Sequence, residues 1–253
     1  MPAQVIQSNT TPFQDVTVDP VTLDIIENAL RNARTEMDAV LFRTAMSPGI
    51  REQHDAFPMI ANHEGKMVVG QFGSFFWGFQ QGYDGTIEEG DVFLTNDPYT
   101  CNGAISHLND WLMMMPIYID GRLVSWAAMF GHMTDIGGKV PGSLPTDAAQ
   151  VFEEGIQVPP VKIIRKGELN KEILELILRN CRLPDWNRSD FNAIVAALRL
   201  AERRVLEMAE RFGVEEFVAA MVEMLDRNKR AMGSILNMVV PETKQHFVDC
   251  IDD

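Results

Sequence analysis

The sequence predicts an α+β fold, with a long N-terminal helix, a β-hairpin-rich sheet carrying the site, and a C-terminal helical bundle. Three observations predict it. Apolar residues recur at three- and four-residue spacing near both ends of the chain. Short apolar runs bounded by Gly, Pro, Asn and Asp lie between them. The longest two runs, 111–119 and 123–130, flank Asp120-Gly121, a strong hairpin signal.

Asp19 followed by Pro20 is a helix start, an acceptor at the cap and a proline in the first turn. Leu23, Ile26, Leu30, Ala33, Met37, Val40 and Leu41 then mark one face of a helix ending near Met46. Ser47-Pro48-Gly49 breaks it, and a charged cluster at 51–55 follows, read as a solvated or a site-facing loop. Strands are expected over 57–61 and 67–71 around a turn containing Gly65, with His63 exposed on that turn. In Phe72-Gly73-Ser74-Phe75-Phe76-Trp77-Gly78-Phe79 the glycines argue against regular structure. Its aromatics, Phe72, Phe75, Phe76, Trp77 and Phe79, either wall an apolar substrate pocket or pack under a partner.

A strand over 91–95 ends at Asn96-Asp97-Pro98, a strand end where site residues are common, which makes Asn96 and Asp97 candidates. Gly137-Gly138 and Pro141-Gly142 mark a loop expected to move. A strand over 158–164 follows. Asn170 caps a helix reaching Cys181, and Pro184-Asp185 breaks the chain. Ser189 caps a long helix that Gly213 stops, and a last helix runs from 215 to about 239. The segment 243–251 reads as a new strand. A domain rarely ends on an unpaired strand, so the chain is expected to be a fragment of a larger one or to be completed by a partner. The expected divisions are a flexible arm (1–18), an α+β site-bearing domain (19–168), a helical region (169–240) and the start of a further strand or domain (241–253).

The formal net charge of −14 argues against nucleic acid and anionic membranes as partners. No apolar run approaches the roughly 20 residues of a membrane span, and the N-terminus lacks a signal pattern, so a cytoplasmic protein is expected. The three cysteines are widely spaced with no CxxC, consistent with free thiols in a reducing compartment. Fifteen methionines are many for this length and suit adaptable core packing or a partner surface.

The chemistry concentrates at the hairpin. The stretch around it holds two of the five histidines, each three residues before an aspartate: His107 with Asp110, and His132 with Asp135. One pair comes just before the first strand and the other just after the second, so the hairpin brings them together at its open end. Two imidazoles with one or two carboxylates suit Mn²⁺, Fe²⁺ or Zn²⁺ and are too nitrogen-rich for a dedicated Ca²⁺ or Mg²⁺ cage. Without a metal the same groups make an acid–base pair. Nothing in the chain reads as a P-loop, a dinucleotide fingerprint, a nucleophile elbow or a zinc ribbon.

Several ordered blocks resemble the N-terminal half of the hydantoinase B/oxoprolinase family: VDPVTLDIIENALRNARTEM with SPGIRE, GDVFLTNDPY, HLND, HMTDIGGKVPGSLP, EEGIQVPPVKI and GELNKEILELILRN. The resemblance implies a chain about half the usual length. It implies a hydantoinase A-like partner that binds ATP, with further small subunits in some members. It also implies hydrolysis of cyclic amides or carboxylation of ketones, by a subunit not active alone. Carried over from the acetone carboxylase branch, it implies Mn²⁺ on His107, Asp110 and His132, with Asp135 as a group orienting a histidine or a water. The link TNDPYTCNGAISHLND is longer than the family's usual one. The aromatic FGSFFWGF suits an aryl ketone, so an acetophenone carboxylase-like subunit is the first expectation. A cyclic amide hydrolase subunit and a non-catalytic scaffolding subunit are the alternatives.

Overall fold

The computed structural model describes residues 13–14, 16–71, 75–240, 244 and 246–248. Residues 1–12 and 15 of the expected arm, Phe72 and Cys250 lie outside them. So do five of the nine residues of the strand expected over 243–251; its other four belong to no helix or strand.

Helix α1 (Pro20–Thr44) begins where the Asp19 carboxylate accepts the Val21 and Thr22 N–H groups, each at 3.0 Å. It buries Leu23, Ile26, Leu30, Ala33, Met37 and Leu41, the face its periodicity foretells. The break at Ser47 winds into a single turn, α2 (Pro48–Arg51). Among the described residues, seven strands form one antiparallel sheet in the order β2-β1-β5-β4-β3-β6-β7. They are β1 (Ala56–Asn62), β2 (Met67–Val69), β3 (Val92–Thr95), β4 (Asp110–Ile119), β5 (Arg122–His132), β6 (Val161–Arg165) and β7 (Glu168–Leu169).

The β4–β5 hairpin is the axis of the sheet. Asp120 and Gly121 both take positive φ, 51° and 73°, as a two-residue turn between twisted strands requires. Pairing runs from Ile119↔Arg122 back to Asp110↔His132, with an irregularity at Ile117/Tyr118. Successive side chains alternate between two faces. Trp111, Met113, Met115, Ile117, Ala127 and Met129 join the larger core with α1 and the helices that follow. Leu112, Met114, Trp126, Ala128 and Phe130 join a second core on the opposite face. Most of the hairpin methionines are therefore packing material between layers.

That second core corrects the reading of the aromatic segment. Phe75–Gly82 is helix α3, despite its two glycines. Gly78 is where it is because a Cβ there would lie 2.0 Å from the Cys101 carbonyl oxygen; close approach outweighs helix propensity. Phe76 and Phe79 are fully buried against Trp126 and Phe93. Phe75 meets Phe130 edge-on. Trp77 points outward, 60% exposed. Three of these four rings, Phe75, Phe76 and Phe79, are packing material of the second core.

Three helices close the larger core: α4 (Lys171–Arg179), α5 (Pro184–Phe212) and α6 (Val214–Val239). Pro184 starts α5 rather than breaking the chain, five residues before the expected cap at Ser189, because proline in the first turn costs no hydrogen bond. Helix α5 packs on both α1 and the β4–β5 hairpin. Phe13 lies under the Arg122 guanidinium, 4.0 Å from its centre, and Gln14 N–H donates to Glu215, so this part of the expected arm rests against the hairpin turn and α6.

Candidate metal centre

The open end of the hairpin gathers His107, Asp110 and His132. Asp110 and His132 face each other across β4 and β5, on the side of the sheet that carries Phe130. Beyond the strand ends the chains stay paired: Met133 N–H donates to the Asn109 carbonyl at 2.8 Å, and Asn109 Nδ2 to the Met133 carbonyl at 2.9 Å. His107 enters from the loop before β4.

His107 Nε2 is 3.2 Å from His132 Nδ1 and 3.2 Å from Asp110 Oδ1, and His132 Nδ1 is 3.1 Å from the same oxygen. Asp110 is buried and both histidines are partly exposed, so the triangle has a dry base and a wet side. Edges of this length suit adjacent donors bound to one ion at about 2.0–2.2 Å. The charge suits a cation too. Burial would raise the Asp110 carboxyl, but hydrogen bonds from His107 and His132 outweigh it and hold the group below the usual carboxylate range. The hydrogen bond to Asp110 in turn raises His107. Two nitrogens and one anionic oxygen converging on one point fit a first-row divalent metal.

Asp55 is the residue the sequence reading left inside a charged loop. Its Oδ2 is 3.6 Å from His132 Nδ1, on the exposed side of the triangle. Its backbone carbonyl accepts His132 N–H at 3.1 Å, an added rung that ties the end of β1 to the end of β5. A carboxylate just before a strand bordering β5 was the available signal; nothing in the sequence says which strands are neighbours.

The other candidates serve the frame. Asn96 is fully buried: its Nδ2 donates to the Leu108 and Ile156 carbonyls at 2.7 and 2.9 Å, and its Oδ1 accepts Val158 N–H at 2.7 Å. It fixes the loop that delivers His107. Asp97 accepts from Tyr99 N–H, from Thr100 and from Gln157 Nε2. Burial opposes its ionisation and these bonds favour it, leaving the carboxyl below its ordinary value. Asp135 is turned away from the triangle. It accepts Gly137 N–H and Gly142 N–H, both at 2.9 Å, and two contacts of 3.2 Å from Arg182 Nη1. Arg182 also holds the Gly137, Gly138 and Val140 carbonyls, so the glycine loop expected to move is pinned by one guanidinium.

The model of the hydantoinase B/oxoprolinase family matches residues 19–253. The caprolactamase subunit beta of Pseudomonas jessenii is 34% identical over 232 residues, 88% of this chain and 39% of that protein. The crystal structure of the ATP-dependent caprolactamase from the same organism superposes with a TM-score of 0.82 at 33% identity, covering 90% of this chain and 40% of that one. The acetophenone carboxylase delta subunit of Aromatoleum aromaticum is 27% identical over 181 residues, 68% of this chain and 26% of that protein. The chain thus spans about two-fifths or less of the length of each of these relatives.

Proposed function

The chain belongs to the hydantoinase B/oxoprolinase family, and on that premise we propose that it is the metal-binding part of an ATP-dependent cyclic amide hydrolase. The observation that carries this reading is the triangle of His107 Nε2, Asp110 Oδ1 and His132 Nδ1, with edges of 3.1–3.2 Å. A divalent ion held there supplies Lewis acidity toward a carbonyl oxygen or a water. Asp110 stays ionised and keeps both imidazole nitrogens turned to one point. Asp55, on the wet side, is placed to take a proton from a water that adds to the amide carbon. Ring opening breaks the C–N bond and delivers a proton to the departing nitrogen. ATP is consumed on a hydantoinase A-like partner subunit in the cytoplasm, and the chain described here is inactive without it.

Amide hydrolysis is preferred over aryl-ketone carboxylation on two grounds. The relative with the higher identity is a caprolactamase. The aromatic segment that suited an aryl ketone is committed to the core, through Phe76 and Phe79. Carboxylation of a ketone by bicarbonate is the second reading, supported by the likeness to the acetophenone carboxylase subunit. The test is to assemble the chain with an ATP-binding partner and measure ATP-dependent turnover of caprolactam and 5-oxoproline against acetophenone with bicarbonate. Hydrolysis that disappears in His132→Ala supports the proposal. Ketone carboxylation in its place sinks it, and neither activity, with no metal in the purified complex, indicates a scaffolding subunit.

A further inference from the structure

Asp190 is a fully buried carboxylate on α5 for which the hydrolytic reading has no use. No cation pairs with it among the described residues. It accepts Met46 N–H at 2.5 Å, Ser47 N–H at 3.2 Å and the Ser47 hydroxyl at 2.5 Å. Burial pushes its pKa up against these bonds. A buried acid with only short neutral donors is a costly device for merely joining two helices.

The contacts of Ser47 show what Asp190 reaches. With its proton given to Asp190, the Ser47 Oγ accepts Thr134 N–H at 3.0 Å, two residues beyond His132. Ser47 also stands at the start of α2, yet its side chain does not cap that turn. The turn instead lies flat against His132: a Cβ on Gly49 would be 3.2 Å from His132 Cδ2 and 3.3 Å from the His132 carbonyl oxygen. The Gly49 carbonyl then accepts Asp55 N–H at 2.9 Å. One carboxylate therefore holds the plate behind the His132 ring, the backbone just after it, and the loop that presents Asp55.

We infer that Asp190 is a positioning residue for the metal centre, setting the place of His132 and Asp55 through Ser47. The inference rests on the metal-binding reading above. Three variants of the chain test it: Asp190→Asn, Ser47→Ala, and Asp91→Asn as control. Asp91 is equally buried but is held by Lys162, just before β3 and toward the closed end of the hairpin. Two readouts are taken beside thermal unfolding: Co²⁺ affinity with its visible spectrum, and the ¹H–¹⁵N imidazole signals of His132 in metal-free protein. Asp190→Asn should weaken Co²⁺ binding about 10–100-fold, alter the spectrum and shift the His132 signals. Asp91→Asn should lower the unfolding temperature and leave both readouts unchanged. Folded Asp190→Asn protein with wild-type affinity and wild-type His132 signals would overturn the inference, as would equal effects from Asp91→Asn. Should Asp190→Asn fail to fold, Ser47→Ala decides: it removes the hydroxyl that links Asp190 to Thr134 and keeps the backbone N–H bonds to Asp190, and wild-type affinity and His132 signals in it would overturn the inference. Wild type that takes up no Co²⁺ defeats the metal reading, and the His132 signals then judge the positioning role alone.

Discussion

His107 Nε2 and His132 Nδ1 lie 3.2 Å apart and share one oxygen of Asp110. Two imidazole nitrogens that close must either share a proton or both offer lone pairs to a cation. Removing either ring leaves two donors, too few to compete with water. His107→Ala and His132→Ala are each expected to lower Mn²⁺ or Zn²⁺ affinity at least about 100-fold while the fold persists, as measured by calorimetric titration of metal-free protein.

Asn96→Ala should act on the same centre from a distance. It leaves the Leu108 and Ile156 carbonyls and Val158 N–H without their partner in a buried place. The expected loss is about 2–4 kcal/mol of stability in urea unfolding, with weaker metal binding because the His107 loop is released.

Asp135→Asn separates loop-pinning from chemistry. The Asp135 carboxyl is disfavoured by burial and favoured more strongly by the Gly142, Gly137 and Arg182 donors, so its folded pKa lies below the ordinary 3.8. The stabilisation it gives is complete above about pH 4 and is lost as pH falls through the depressed folded value. Wild type should therefore lose stability more steeply than Asp135→Asn as pH falls below about 4. At pH 7 the variant should be less stable by about 1–3 kcal/mol. Denaturant midpoints across the acid range test both statements.

Phe79→Ala and Trp77→Ala, two positions apart on α3, should diverge. Phe79 is fully buried and its loss leaves a cavity costing about 3–5 kcal/mol. Trp77 is 60% exposed, and its loss should change stability by less than about 0.5 kcal/mol. Equal effects in urea unfolding would mean that the α3 packing is misjudged.

Much of this was legible in the chain. The α1 stripe, the Asp120-Gly121 turn and the two His-x-x-Asp pairs follow from local spacing, and the hairpin explains why Asp110 and His132 meet, with His107 three residues before the strand. What sequence could not show depends on which elements become neighbours. Asp55 joins the centre because β1 pairs with β5. Asp135 leaves it because Arg182, 47 residues on, claims its carboxylate. Local propensity misjudged α3, where Gly78 is fixed by the approach of the 101–104 loop rather than by its own conformational preference. Pro184 suits a first turn as well as a break, and its place at the start of α5 decides between them.

The two-face alternation of the hairpin also sets which changes this site can survive over generations. Composition along β4 and β5 can drift, because methionine, leucine and aromatic side chains substitute for one another with modest loss. Length cannot. One codon inserted into either arm between the Asp120-Gly121 turn and the open end would send Asp110 or His132 to the opposite face, into the helical core. Tolerated insertions should come as pairs of codons or fall in the turn, and a deep-mutational scan that includes single-codon insertions would reveal that two-residue rhythm.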